Sequence, residues 1–324
     1  MDKPNSDKVI VITGATSGIG LAAAKQMASA GVVVIGIGRS EERCRAAEEI
    51  LRGLHPAGKA HFLRADLSLL SEVRAVAEQI RGTLAASGRT ALDGLLNNAG
   101  GVAFRQTQTI EGLDRTWALN HLAPFLLTHE LLPLLRAAPW ARVVTVSSGS
   151  HYGARLDWND LQSRRRYSAW RAYGRSKLAN VLFTLELNRR LGEESGVQAF
   201  AADPGLVNTG IGTKGTPFWM GWGWRIWSAH GKTPEETAKG IVRLFLDPST
   251  QSHAGIYWKD GNPVDPDPAA LDKDSAKRLW EISGQMCSPT PFPPVVTTGT
   301  GSPSPSKADQ VWERGEGKGI VGRS

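Results

Sequence analysis

Tyr173 and Lys177 stand four residues apart in the run AYGRSKLAN. On a helix that spacing puts both side chains on one face. A free tyrosine titrates near about 10 and is a poor base at neutral pH. An ammonium about 4 Å away contributes about 4 kcal/mol at an effective dielectric near 20, and is expected to lower the phenol by up to about three units. The phenol then serves as general acid or base. The same pair also arises by accident on solvated helices, so a third group has to decide. Ser148 closes the apolar run ARVVTVSS, where a buried strand delivers a hydroxyl able to donate to a substrate carbonyl and steady charge developing on its oxygen. A rival chemistry, Ser148 as nucleophile with His151 as base, lacks the Gly-x-Ser-x-Gly turn that exposes such a serine.

Holding these groups together requires a scaffold, and the chain alternates strand-like and helix-like segments. KVIVIT (8–13), VVVIGIG (32–38), AHFLRADL (60–67), LDGLLNNAG (92–100), ARVVTVSS (141–148) and VQAFAADPG (197–205) read as strands, with GIYW (255–258) as an edge strand. Amphipathic stretches between them read as helices, among them one from about Ile19 to Ala30 and a long one through residues 112–135. Another spans 233–247, with Thr233 as N-cap, Pro234 in its first turn and Glu236 three residues on. Such alternation predicts parallel pairing through right-handed crossovers, and wholly apolar strands predict a sheet covered on both faces. The expected fold class is α/β, a doubly wound parallel sheet that binds ligands at its strands' carboxyl ends.

Between the first strand and first helix lies TGATSGIG, with Gly14, Gly18 and Gly20. Gly14 permits the sharp exit, and Gly18 and Gly20 let a pyrophosphate approach the helix N-terminus, where free N–H groups favour an anion. The spacing is Gly-x-x-x-Gly-x-Gly rather than the Gly-x-Gly-x-x-Gly fingerprint. The second strand ends in Arg39, with no acid before Glu41. A carboxylate there selects NAD, whereas an arginine forks onto a 2′-phosphate, so NADP(H) is expected over NAD(H). Asp66 and Leu67 follow the third strand, where a carboxylate reaches an adenine amino group. Asn98, Ala99 and Gly100 follow the fourth and offer amides and small residues beside a cofactor. Both stretches equally suit plain turns.

Thirty-eight basic against 31 acidic residues give a net charge of +7. The surplus is scattered except at Arg164–Arg166, which reads as a solvated loop, and no basic helix interleaved with aromatics points to nucleic acid. Two distant cysteines, Cys44 and Cys287, fit free thiols in a reducing compartment and no metal site. No run approaches the roughly 18 apolar residues of a membrane span, and no signal-type segment stands at the N-terminus, so a cytoplasmic location is expected. From Ser288 to Ser324 the composition turns to Pro, Ser, Thr and Gly, and a disordered tail is expected after one domain over 1–287.

Taken in order, TGATSGIG, NNAG, Asn120, Ser148, YGRSK and DPG resemble the short-chain dehydrogenase/reductase family over roughly residues 8–260. The family implies a Rossmann-like sheet of about seven strands and hydride transfer between NAD(P)(H) and a carbonyl or alcohol. The resemblance implies Tyr173 as general acid/base, Lys177 as its charge partner and a ribose ligand, and Ser148 as the group polarising the substrate oxygen. It implies Asn120 as holder of a relay water near Lys177. Pro204, Gly205, Val207 and Thr209 would line the nicotinamide, with Ser17 and Ile19 touching the cofactor in the glycine turn. Ser148 and Tyr173 lie 25 positions apart, farther than in many members. That insertion, followed by SKLANVLF, is similar to the retinol-dehydrogenase-like and protochlorophyllide-reductase-like subgroup.

Four tryptophans, Trp219, Trp222, Trp224 and Trp227, crowd GTPFWMGWGWRIWSAHGK (215–232). Three readings stand: a lid (about residues 210–232) over a bulky apolar substrate, a dimer contact, or shallow contact with a membrane surface. The expected partner is a small carbonyl or alcohol, with the chain a monomer or homo-oligomer. A catalytically silent, cofactor-binding regulatory protein is the alternative.

Overall fold

The computed structural model describes residues 5–54, 59–192, 195–207, 231–252 and 256–288. Thr209, the tryptophan-rich run and the Pro/Ser/Gly-rich tail beyond Ser288 lie outside the described residues.

The sheet runs β1 (Val9–Thr13), β2 (Val33–Gly38), β3 (Ala60–Arg64), β4 (Gly94–Asn97), β5 (Ala141–Val146), β6 (Val197–Asp203), β7 (Tyr257–Lys259) and β8 (Asn262–Pro263) in sequence. Their spatial order is β3-β2-β1-β4-β5-β6-β7-β8. Every pairing from β3 across to β7 is parallel; only β7 and β8 are antiparallel. The expected seven strands are therefore present, and the eighth is a two-residue return that closes the β7 edge. β1, β2 and β5 are buried at every residue, as β-branched runs covered on both faces must be. Strand order reverses between β1 and β4, the point beside which doubly wound sheets bind ligands at their strands' carboxyl ends.

The helices are α1 (Gly18–Ser29), α2 (Glu41–Arg52), α3 (Leu70–Ala86), α4 (Arg115–Trp117), α5 (Ala123–Arg136), α6 (Ala169–Leu191), α7 (Pro234–Leu246) and α8 (Lys273–Met286). On one face α3, α5, α6 and α8 pack around Leu126, Leu131, Leu182, Leu187 and Leu279. On the other, α1 and α7 pack around Ala23, Met27, Ala238 and Ile241. α7 begins with the capping box read from Thr233 and Glu236.

Two elements depart from expectation. The predicted long helix over 112–135 is broken into α4, a π-helical turn at Ala118–Leu122, and α5, with the Ala123 N–H reaching the Ala118 carbonyl five residues back. Pro124 follows and has no N–H to give the carbonyl of Asn120 four residues upstream, which favours a local change of register. α8 was not foreseen, although Ala276, Leu279, Trp280 and Ser283 recur at helical spacing and are all buried. It lies along α6, where Trp280 stacks on Phe183 at 5.8 Å and meets Phe125 edge-on at 5.0 Å.

Candidate active site

α6 carries a polar stripe, Tyr173, Lys177, Asn180 and Thr184, at helical spacing and faces it to the end of β5. Lys177 is 3% exposed, and its Nζ donates to the Val146 carbonyl at 2.8 Å. Asn180 donates to the same carbonyl at 3.3 Å, and the Ser147 hydroxyl returns a bond to the Lys177 carbonyl at 2.9 Å. The helix is thus stitched to the strand where Ser148 leaves it. The Ser148 hydroxyl donates to that of Ser150 at 3.3 Å and lies close enough to the Tyr173 phenol to favour its ionised form. The loop between Ser148 and α6 brings the two together despite its length. Within it, Asp160 accepts the N–H groups of Arg164 and Arg165, and the arginine cluster is exposed as expected.

The electrostatics correct one expectation. Burial pushes the Tyr173 phenol up to about 12; the Ser148 hydroxyl pulls the other way and the Asp203 charge adds to the rise. Burial also pushes Lys177 down to about 8, opposed by Asp203. The ammonium sits 5.4 Å from the phenol ring centre and spends its proton on Val146. Desolvation therefore outweighs the Coulomb gain on which the expected lowering rested.

Asn120 lies in the π-helical turn, 1% exposed. Its side-chain amide donates to the Gly101 carbonyl at 2.9 Å and to Ser176 Oγ at 3.1 Å, while its Oδ1 accepts the Gly101 N–H at 2.9 Å. A Cβ at Gly100 would meet Asn120 Oδ1 at 3.2 Å and Lys177 Nζ at 3.5 Å, so these three share one small space.

The glycine turn is built for close approach. Gly14 and Gly18 have φ of 66° and 53°, and a side chain on Gly20 would collide with the Gly14 carbonyl. Ser17 caps α1 without a side-chain hydrogen bond, leaving the helix N-terminus to other partners. Asn98 does not extend its amide outwards: Nδ2 donates to the Thr13 carbonyl at 2.9 Å and fastens β4 to the turn, while the Ala99 N–H is held by Thr13 Oγ1. Ile19 and Leu67 bury their side chains in the core, so any cofactor contact there is made by backbone. Arg39 is exposed at the end of β2, and Arg64, which went unremarked in the sequence, is exposed beside it because Gly38 and Arg64 are register partners. Asp66 accepts the Ser68 N–H and hydroxyl through Oδ1 and pairs with Arg115 through Oδ2 at 3.6 Å, so both carboxylate oxygens are engaged in holding the turn. Pro204, Gly205 and Val207 follow β6 at the same end of the sheet. There the chain leaves at Val207 and returns at Lys232, the two joined by a parallel bridge. These residues fit a dinucleotide: a phosphate-sized turn, a helix N-terminus and small residues before the Lys177 ammonium.

Two neighbours of the site take roles that the sequence did not assign them. Asp203 is 4% exposed at the end of β6, and its carboxylate accepts the Tyr257 hydroxyl and the Gly205 N–H, each at 2.9 Å. His151 is fully buried; its Nε2 accepts the Asp267 N–H, so the proton is on Nδ1, which donates to the Ser148 carbonyl at 2.8 Å. Burial holds this imidazole below its ordinary value and leaves no nitrogen to act as a base on Ser148. The signal for Asp203 was present as an acid ending a buried strand; His151, weighed in the sequence as a rival base, instead ties the Ser148 carbonyl to the Asp267 backbone.

The profile of the short chain dehydrogenase family matches residues 8–217. Polyprenol dehydrogenase of Mus musculus is 36% identical over 86% of this chain and 83% of its own length. Retinol dehydrogenase 12 of Homo sapiens is 36% identical, covering 86% of each. A crystallised protein of Mycobacterium paratuberculosis superposes with a TM-score of 0.66 at 33% identity, over 87% of this chain and 93% of that one. With sheet order, phosphate turn and a tyrosine–lysine–serine cluster in agreement, the chain belongs to the short-chain dehydrogenase family, in its retinol-dehydrogenase-like subgroup, and is an oxidoreductase acting on alcohol and carbonyl groups.

Proposed function

We propose that the protein reduces a lipophilic aldehyde or ketone, or oxidises the matching alcohol, with NADP(H), and that Ser148, Tyr173, Lys177 and Asn120 carry the reaction. The observation that carries this is the convergence of Ser148, where the chain leaves β5, with Tyr173 and Lys177 on the facing side of α6, Lys177 being fastened to the Val146 carbonyl two residues before Ser148. Ser148 donates to the substrate oxygen and fixes its direction. Tyr173, protonated at neutral pH, gives its proton to that oxygen as it becomes an alkoxide. When bound, the nicotinamide supplies or receives the hydride. With a cofactor bound, Lys177 would turn from Val146 to a ribose hydroxyl, and Asn120, in the π-helical turn beside it, would help hold the water that returns a proton.

Preference for NADP(H) rests on Arg39 and Arg64, two exposed arginines at the neighbouring carboxyl ends of β2 and β3, where a 2′-phosphate would lie. An apolar substrate is supported by the relatives, whose names specify retinol and polyprenol, and by the tryptophan-rich composition of 215–232. A further apolar feature is Phe104 edge-on to Trp170 at 6.0 Å, one helical turn before Tyr173. Two free, buried thiols, Cys44 and Cys287, suit a reducing compartment such as the cytoplasm. Among the described residues no helix is long and apolar enough to cross a membrane.

The test is a screen of long-chain, isoprenoid and aromatic aldehydes, ketones and alcohols with both cofactors. Turnover of apolar compounds with NADPH well above NADH supports the proposal, and Arg39→Asp then narrows that ratio. Turnover confined to small polar carbonyls, or a preference for NADH, sinks the respective half.

A further inference from the structure

Asp203 is the buried charge that this site had no evident need of. The β5–β6 register pairs Val146 with Ala202, and the Ser147 N–H donates to the Ala202 carbonyl at 2.8 Å. Asp203 therefore lies directly beside the turn that leads to Ser148, one residue beyond the partner of the carbonyl that holds Lys177. Its Oδ2 stands 3.5 Å from where a Cβ on Gly149 would be. Only neutral donors touch the carboxylate among the described residues, Tyr257 from β7 and the Gly205 N–H. A carboxylate 4% exposed and without a contacting cation projects its field well beyond its own hydrogen bonds.

Resting on the function proposed above, we propose that Asp203 is a positioning residue for protons: its buried negative charge, aimed across the Ser148 turn, keeps Tyr173 and Lys177 protonated. The ionisable groups around it are Tyr173 and Lys177 on α6, His151 and Tyr152 after β5, Tyr257 on β7, and Asp260 after β7, whose N–H reaches the Asp203 carbonyl at 3.5 Å and whose carboxylate is paired with Lys232 at 2.7 Å. Lys259, its register partner on β7, has an exposed side chain. His151 is neutral with both ring nitrogens engaged, and burial, the Asp203 charge and, for Tyr257, its hydrogen bond to Asp203 hold the Tyr152 and Tyr257 phenols above the ordinary range. That leaves Tyr173 and Lys177 as the pair whose proton affinity Asp203 adjusts, and the charge raises both. The effect counteracts the desolvation of Lys177 and reinforces that of Tyr173. It keeps the phenol a proton donor, which suits carbonyl reduction, and makes it a reluctant base for alcohol oxidation.

The experiment is the pH profile of kcat/KM for carbonyl reduction in the wild type and in Asp203→Asn, an isostere without the charge. Removing a negative charge lowers the proton affinity of both groups, so the alkaline limb should move by about one unit towards lower pH. A superimposable limb in a variant with normal melting overturns the proposal and leaves the assigned function standing. Should the asparagine variant not fold, Asp203→Ser takes its place under the same criterion. Should the wild type reduce no carbonyl compound, the function fails instead. The proposal is then read from ultraviolet phenolate absorbance, as the titration that disappears with Tyr173→Phe. That titration must lie at lower pH in the Asp203 variant, and an unmoved titration overturns the proposal.

Discussion

Tyr173, half-buried, and Lys177, buried, sit on one helical face, with opposed consequences for their protons. The phenol is held at about 12 and the ammonium at about 8, both mainly by desolvation. Near neutrality the pair is thus fully protonated and ready to donate. Removing the hydroxyl with Tyr173→Phe is expected to lower carbonyl-reduction kcat by about a thousandfold or more, with NADPH affinity, measured by fluorescence quenching, nearly unchanged. Retained turnover would take Tyr173 out of the acid role. Because Lys177 loses its charge as pH rises through about 8, the wild-type reduction rate should decline above that point. A rate flat to about pH 10, the ordinary range of a lysine, would show that Lys177 is not the group titrating. The chemistry at this scale was legible in the sequence because residue types and spacing fix which groups share a helical face. The sign of the phenol's shift was not, since spacing carries no information about burial or about Asp203, which arrives from a strand thirty positions further on.

At the scale of elements, α6 must pass within contact distance of the turn that bears Ser148. Gly174 allows it: a Cβ there would lie 2.7 Å from the Ser150 carbonyl, a backbone atom that cannot swing aside. Gly174→Ala should therefore displace the serine turn from Tyr173. The expected result is a fall in kcat of about tenfold or more together with a lower melting temperature. Wild-type activity in that variant would mean that the helix can shift without cost. The π-helical turn couples the site to α8 through His121, whose Nε2 meets Ser283 Oγ at 2.8 Å. Burial lowers this imidazole from 6.5 to about 4. Its folded-state value lies below its unfolded one, so its contribution is fully present above about 6.5 and is lost as pH falls towards about 4. The difference corresponds to about 3 kcal/mol at the acid end. Urea unfolding of wild type and His121→Gln between these pH values should show a steeper loss in the wild type; equal slopes would place the acid sensitivity elsewhere. Neither device was legible beforehand. A π-turn leaves the hydrophobic period almost intact, with Pro124 as its only sequence trace, and a contact between residues 121 and 283 is set by packing alone.

For the molecule as a whole, the boundary of the folded unit is set by α8. The sequence marked a compositional change near Ser288 but left the preceding helix unassigned, because Pro263, Pro266 and Pro268 interrupt the approach and only a short amphipathic stretch follows. In the fold that stretch covers the outer side of α6. Trp280 lies against Phe125 and Phe183, and the Arg190 guanidinium stands 4.8 Å from its ring centre. Truncating a buried aromatic of this kind costs about 3–5 kcal/mol, a large part of the roughly 5–15 kcal/mol that stabilises a domain. Two truncations separate the roles of the two terminal regions. Ending the chain at Ser288 removes only residues whose Pro, Ser, Thr and Gly content offers little to bury, and should leave the urea midpoint and turnover nearly unchanged. Ending it at Asp272 removes α8 and exposes the Phe125–Phe183 surface, and should abolish a cooperative transition or lower its midpoint severely. Trp280→Ala should fall between the two, reporting the share carried by one ring. If the shorter chain unfolded as cooperatively as the longer, α8 would be an accessory and the core on that face of the sheet would close without it. If ending at Ser288 proved just as damaging, the tail would have to be counted as part of the fold.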